Sequence, residues 1–221
     1  MGEENIKIQR KAFDDYDLTI NDSRYRKAHK IIKSLKLGKF LEIGCNNGSF
    51  LEKIKKMEHE VYGLEISDTA AEKGRKKKLN IKTGDIMEKT PFPKNSFDII
   101  LAGEIIEHTI NDSKFLENIY DILKPNGTAI ITTPNLISLK NRLLMLIGKD
   151  PRFAIAPYHY KVYTPNLIKE LFKKSKFKSF KISGNYIIYS KNRERFLGSL
   201  FESLAEKIPS LAEHFIIVTK K

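Results

Sequence analysis

Cysteine is nearly missing from this chain of 221 residues; Cys45 stands alone. One thiol excludes an internal disulfide and any thiolate cluster around a metal. Long apolar runs are missing as well. The longest, Leu143 to Ile147, falls far short of the roughly 20 residues that cross a bilayer. The start, Met1-Gly-Glu-Glu-Asn-Ile-Lys7, has no basic stretch leading into an apolar one, so no secretory leader is read there. These absences predict a cytoplasmic protein with no transmembrane segment. Acidic charge is scarce in one part only. From Asn135 to Lys221, 17 Lys and Arg stand against 6 Asp and Glu, whereas residues 1–134 hold 23 and 21. A basic C-terminal half admits peripheral contact with anionic lipid or nucleic acid. Arginine is scarce too, 8 against 32 lysines, and forked recognition of phosphates and base edges prefers arginine. A solvated lysine face is therefore the simpler reading of the charge.

What is present fits one folded unit. With 41% hydrophobic and 30% charged residues the chain can bury one sizeable core, and no repeat or low-complexity linker divides it. Residues 1–37 are polar, with a helical pattern from about Tyr25 to Leu37. Short apolar runs then alternate with amphipathic helices. Strands are expected at Lys39–Ile43, Glu60–Leu64, around Ile81, at Phe97–Leu101 and at Thr128–Thr133. The helices between them are Ser49–Met57, Asp68–Lys78 (capped by Ser67 or Asp68) and Asp112–Leu123, the last ended by Pro125 and Gly127. This alternation predicts parallel strands with helices on both faces. After Pro134 the rhythm breaks. An insertion over 135–164 precedes a helix at Pro165–Lys174, which Thr164 can cap with Pro165 in its first turn. Strands Phe177–Ile182 and His214–Thr219 follow, with a helix Arg195–Ile208 between them that carries Phe196, Leu200, Phe201 and Leu204 on one side.

The first strand runs into a turn, "LEIGCNNGSF" over 41–50, with two glycines and two asparagines ahead of a helix. Such a turn brings backbone N–H groups and little bulk to the carboxyl edge of an α/β sheet, where these sheets bind ligands. Glu65 ends the second strand in "VYGLEIS", where a carboxylate can accept both ribose hydroxyls. Asp85 follows the third in "KTGDI", placed to reach an adenine amino group with Ile86 against the ring. Carboxylates at 42, 65 and 85 beside successive strand ends point to a nucleoside site. NAD would call for a phosphate-cradling G-x-G-x-x-G, and residues 44–49 read Gly-Cys-Asn-Asn-Gly-Ser.

These segments, with "GDIMEKTPFPKNSFDIILAGEIIEHT" and "LKPNGTAIITTPN", resemble the class I S-adenosylmethionine-dependent methyltransferases over about residues 25–183. The resemblance implies a Rossmann-like, seven-stranded, mostly parallel sheet with its last strand antiparallel and a helical insertion after the fifth strand. It implies S-adenosylmethionine as cofactor, leaving as S-adenosylhomocysteine. Glu42, Gly44 and Gly48 would surround the methionine part, Glu65 would hold the ribose, Asp85 and Ile86 the adenine, and Glu104 and His108 would line the pocket. Cys45, Asn46, Ile66 and Gly103 count with them as cofactor-binding residues. Asn46 stands where the family's first motif usually has its middle glycine; asparagine tolerates left-handed backbone angles.

The acceptor is read by elimination. The (Asn/Asp)-Pro-Pro-(Tyr/Phe) signature of enzymes acting on base amines is replaced by "AGEIIEH". The cysteine that C5 methylation of bases needs is missing from that region, and no carboxylate cluster suggests a catechol-type metal site. Cys45 reads as a small wall residue, not a nucleophile, and no metal is expected. An oxygen acceptor needs a base, for which His108 and His159 (in "PYHYKVYT") are the candidates, His159 slightly preferred. The "EIIEHT" layout looks most like the broad subgroup that includes quinone-biosynthesis and glycan-linked O-methyltransferases. The leading expectation is methylation of an oxygen on a small-molecule or lipid- or glycan-linked acceptor, by a monomer or homodimer. The alternatives are an RNA methyltransferase using the basic half and a non-catalytic, cofactor-binding regulator. Leu136 to Ile147 is too apolar for a free loop; a lid, a membrane-surface helix, a dimer contact and a plain extension of the core are its four readings.

Overall fold

The computed structural model describes residues 23–88, 90–152, 159–187 and 196–221. Seven strands form one sheet: β1 Lys39–Ile43, β2 Glu60–Glu65, β3 Asn80–Thr83, β4 Phe97–Gly103, β5 Leu123–Pro134, β6 Ser179–Gly184 and β7 His214–Lys220. The helices are α1 Ser23–Lys33, α2 Ser49–Lys55, α3 Asp68–Lys76, α4 Asp112–Ile122, α5 Leu139–Leu146, α6 Pro165–Lys173 and α7 Phe196–Lys207, with 3-10 turns at Ile106–His108 and Pro209–Leu211. The strand order is β3-β2-β1-β4-β5-β7-β6. β1 pairs in parallel with β2 and β4, while β7 runs antiparallel to both β5 and β6. The reversal of direction from β1, to β2 on one side and β4 on the other, opens a crevice at the carboxyl edge.

Two apolar layers hold the sheet. On one face Leu41 and Ile43 pack with Phe97, Phe115, Ile119 and Phe172; on the other Phe40 packs with Ile32, Phe50, Leu51 and Ile54. The strict alternation along β1 sends successive side chains to opposite layers. Burying both faces is what makes the central strands nearly continuous apolar runs.

The capping signals hold. Ser67 Oγ accepts from Ala70 N at 3.0 Å, and Thr164 Oγ1 accepts from Leu167 N at 3.3 Å with Pro165 in the first turn. The fifth strand differs from its expected bounds. α4 stops at Ile122, and β5 begins at once, with Leu123 opposite Phe97 and Thr128 opposite Ile99. Lys124-Pro-Asn-Gly127, expected to stop the helix, is instead an outward loop inside the strand. Asn126 takes the left-handed φ of 65° that such a loop requires. Within the expected insertion, helix is found at Leu139–Leu146; residues 153–158, Tyr158 among them, lie outside the described set. So do residues 1–22 and Arg195, and the side chains of Phe196 and Leu200. Of the remaining pair on that helix, Phe201 packs inward beside Ala205, whereas Leu204 is 36% exposed.

Candidate cofactor and acceptor site

The turn after β1 is shaped by close packing. Gly44 sits at φ 72°, and a Cβ there would lie 2.3 Å from Ile105 Cδ1. Its N–H donates to Leu64 O at 2.8 Å, which ties the turn to β2. Asn46 adopts φ 47°, the left-handed conformation expected of it, and its side-chain oxygen accepts from Asn47 N. Gly48 caps α2 at φ 73°, and a Cβ there would meet Leu79 Cδ1 at 2.4 Å.

Glu65 braces this loop from the end of β2. One carboxylate oxygen accepts from Asn46 N at 2.7 Å and the other from Ser67 N at 3.0 Å, and the residue is buried. Asp85 Oδ1 accepts from Met87 N at 2.8 Å, and Asn118 Nδ2 donates to Ile86 O at 2.6 Å, fixing the segment after β3. Between these pieces lies a cavity of about 320 Å³, walled by Ile43, Gly44, Leu64, Ile66, Gly84 to Met87, Ile105 and His108 to Asn111. Its walls are mainly aliphatic, with Asp85, His108 and Asn111 as polar points, the make-up of a small-molecule site.

Of the residues singled out from sequence, Gly44, Ile66, Asp85, Ile86 and His108 form this wall. Cys45, Asn46 and Gly48 belong to the loop without lining the cavity, and Glu42 and Glu65 stand at the strand ends beside it. Glu42 is 1% exposed and points to the α1 face of the sheet, and its Oε2 has no hydrogen-bond partner among the described residues. Burial, and then the Glu65 carboxylate, hold its acid well above the usual range, against a hydrogen bond from Tyr25. Cys45 is buried, and its thiol is likewise pushed up by burial, which fits a wall residue and not a nucleophile.

Gly103 and Glu104 belong to a separate, smaller hollow with Tyr25, Ala28, Leu101 and Thr132. Glu104 sits at φ 58°, strained for a residue with a side chain; Thr132 Oγ1 donates to its Oε1 at 3.1 Å. His214 Nε2 lies 3.7 Å from Glu104 Oε2, and His214 Nδ1 lies 3.0 Å from Asn185 Nδ2. The Asn185 amide donates there, which leaves the His214 proton on the nitrogen facing Glu104. His214 was legible only as the start of a strand.

His159 does not line the cavity, yet it reaches its rim. Its ring meets that of His108 edge-on, centroids 4.7 Å apart at 77°. Tyr160 N and Lys161 N both donate to Glu107 O, at 2.9 and 3.3 Å, which seats the 159–161 segment on the turn after β4. Glu107, not anticipated, is buried and accepts from Thr133 Oγ1 at 3.1 Å. Glu107, His108 and His159 each bring one ligating atom within 4.8 Å of the others, a spacing that a bound cation could bridge. The signal in sequence is a carboxylate inside an otherwise apolar "EIIEH" turn.

This sheet order, with β7 alone reversed, and a nucleoside-sized cavity at the carboxyl edge of β1, β2 and β3 define a Rossmann-like cofactor-binding protein. The family model described as "methyltransferase domain" matches residues 41–131. A ubiquinone biosynthesis O-methyltransferase of Bradyrhizobium diazoefficiens is 32% identical over 138 residues, covering 59% of this chain and 54% of that protein. The chain thus spans about half the length of the curated relatives it matches. A crystal structure of a SAM-dependent methyltransferase from Archaeoglobus fulgidus superposes with TM-score 0.64 at 23% identity, over 90% of this chain and 92% of that one. A phosphoethanolamine N-methyltransferase 2 of Haemonchus contortus, solved with S-adenosyl-L-methionine, gives TM-score 0.63 at 18% identity over 98% and 57%. Residues 41–131 thus match the methyltransferase family, and the fold is that of the S-adenosylmethionine-dependent methyltransferases on which the chain superposes. The cavity has room and chemistry for that cofactor: Ile66, Ile86 and Met87 give it an aliphatic wall, Asp85 is a polar point in that wall, and a glycine stands at 44 where a side chain would clash with Ile105.

Proposed function

We propose that this chain transfers the methyl group of S-adenosylmethionine to an oxygen of a small-molecule or lipid- or glycan-linked acceptor. The bound cofactor supplies a methyl group on a cationic sulfur, and displacement there neutralises charge. The protein's part is alignment, exclusion of water and removal of the acceptor's proton. The observation that carries the reading is the His108–His159 pair. His108 is in the cavity wall, and His159 stands against it where an acceptor above the cavity would lie. His159 takes the acceptor's proton, and His108 and the Glu107 carboxylate hold the ring in place. Kinship with a quinone-biosynthesis O-methyltransferase supports oxygen over nitrogen.

The test is transfer of labelled methyl from S-adenosylmethionine to catechol- and hydroquinone-type phenols, with RNA as a parallel acceptor. His159→Ala is expected to lower turnover about 100-fold or more while calorimetric affinity for S-adenosylhomocysteine stays within about twofold, since His159 is outside the cavity wall. Unchanged turnover in both His159→Ala and His108→Ala would remove the base assignment. Transfer to RNA alone would move the acceptor to another class.

A further inference from the structure

Two walls of the cavity come from distant parts of the chain, Gly84 to Met87 after β3 and His108 to Asn111 after β4, and helix α4 meets both. It starts at the second wall, where Asn111 Oδ1 accepts from Lys114 N at 3.0 Å and caps the helix. About two turns further on, Asn118 reaches the first wall. Its Nδ2 donates to Ile86 O at 2.6 Å and lies 3.4 Å from Glu88 O, across some thirty residues of sequence. Asn118 is buried on the face that also carries Phe115, Leu116, Ile119 and Ile122. Helical periodicity calls for an apolar side chain there; the amide is tolerated because the carbonyl it meets satisfies it. The segment it holds is a turn closed by its own bonds. Asp85 Oδ1 accepts from Met87 N at 2.8 Å, and Asp85 O from Glu88 N at 3.1 Å. Gly84 N, donating to Glu65 O at 2.9 Å, anchors the start of this turn to β2, and Asn118 anchors its far side to α4.

We propose that Asn118 is a positioning residue for the cofactor's base. By pinning Ile86 and Glu88 to α4 it holds the Asp85 carboxylate where the 6-amino group of adenine donates to it. This role rests on the cofactor reading of the cavity and deepens it to the choice of base. A carboxylate offers acceptors alone, so it pairs with a 6-amino group and repels a 6-oxo group. That choice lasts only while the carboxylate is fixed. With the turn from Asp85 to Glu88 released from α4, Asp85 turns toward water, and the base is met by Ile66 and Met87. Aliphatic walls do not tell an amino group from an oxo group. Asn118 itself is outside the cavity wall and acts through the turn it holds.

Calorimetric titration of the full chain with S-adenosylhomocysteine and with its 6-oxo analogue, S-inosylhomocysteine, tests this. The parent is expected to prefer the adenine ligand about 30-fold or more, and Asn118→Ala to cut the preference to about threefold or less. A loss of stability lowers the folded fraction for both ligands alike, so the ratio stays put if Asn118 serves the fold alone. Asn118→Ser is expected to match Asn118→Ala and covers the case of an alanine variant that does not fold, since its hydroxyl can bond within α4 but is too short to reach Ile86. Asp85→Asn brings N–H donors to the base and is expected to erase or reverse the preference. Variants at 118 that keep the parent's ratio overturn the role of Asn118. A parent that binds both ligands equally overturns it too and leaves the cofactor reading standing. A parent that binds neither overturns the cofactor reading, and the role of Asn118 with it.

Discussion

Glu42 is an acid placed where an apolar side chain would be more comfortable. Its neighbours are Tyr25 on α1, the Glu65 carboxylate on β2 and the buried thiol of Cys45. Because burial raises its folded-state pKa above the unfolded value, the fold is favoured while pH is below the ordinary carboxylate range. Stability is lost as pH rises from that range toward the raised folded value. Glu42→Gln keeps the shape and removes the ionisation. It is expected to raise stability near neutral pH by about 1 kcal/mol, or about 2–4 °C in Tm, and to flatten the pH dependence above pH 5 or so. Thermal unfolding of both proteins between acid and neutral pH checks this; a variant that melts lower at neutral pH would show that the ionised carboxylate is a structural partner. Glu65 is the opposite case, a carboxylate whose two oxygens are both engaged by backbone N–H groups of the loop it supports.

At the scale of elements, the segment after β5 is held by side-chain amides as well as by the packing of Leu139 against Ile187, Ala205 and Ala212. Asn135 Nδ2 donates to Ser210 O at 3.0 Å and Ala212 O at 2.7 Å, and Asn141 ties the start of α5 to Arg152. Asn141→Ala leaves several buried backbone groups without their partner. A loss of about 2–4 kcal/mol is expected, read from the shift of a denaturant midpoint at unchanged slope. Elements of this kind were the least legible in the sequence. Periodicity gave β1 to the residue, because Phe40, Leu41 and Ile43 form a short apolar stretch directly ahead of glycine, and hydroxyl residues before helices gave the caps at Ser67 and Thr164. The start of β5 was hidden because Lys124-Pro-Asn-Gly127 is a turn by composition, and only pairing with Phe97 makes Leu123 a strand residue. The site divides the same way. Gly44, Asp85 and Ile86 were readable from strand ends, whereas the His108–His159 contact depends on Tyr160 and Lys161 meeting a carbonyl more than fifty residues earlier. Asn46 in a left-handed conformation was legible from residue type alone.

Over the whole molecule, the sheet has one well-connected half and one dependent half. Among the described residues β6 is bonded to the rest of the sheet through β7, and β7 is bonded on its other side to β5. β6 therefore cannot outlast β7. Native-state hydrogen exchange is expected to show amides of β6 opening together with or before those of β7, while β1 and β4, enclosed on both sides, exchange last. Slower exchange in β6 than in β7 would contradict the connectivity. No helix among the described residues is long and apolar enough to cross a membrane.

The place of β7 also sets a timetable. On the ribosome β1 to β5 can pair as they emerge, but β6 is made some thirty residues before β7, its one bonded strand among the described residues. Until His214–Lys220 is released, the edge of β5 stands open and Ser179–Gly184 has nowhere to go, a window in which a nascent chain is exposed to mispairing with its neighbours. Of the seven strands described, the last to be made is the one that joins β6 to β5, so a ribosome that stalls short of it leaves the turn after β1 complete and the edge of β5 unguarded.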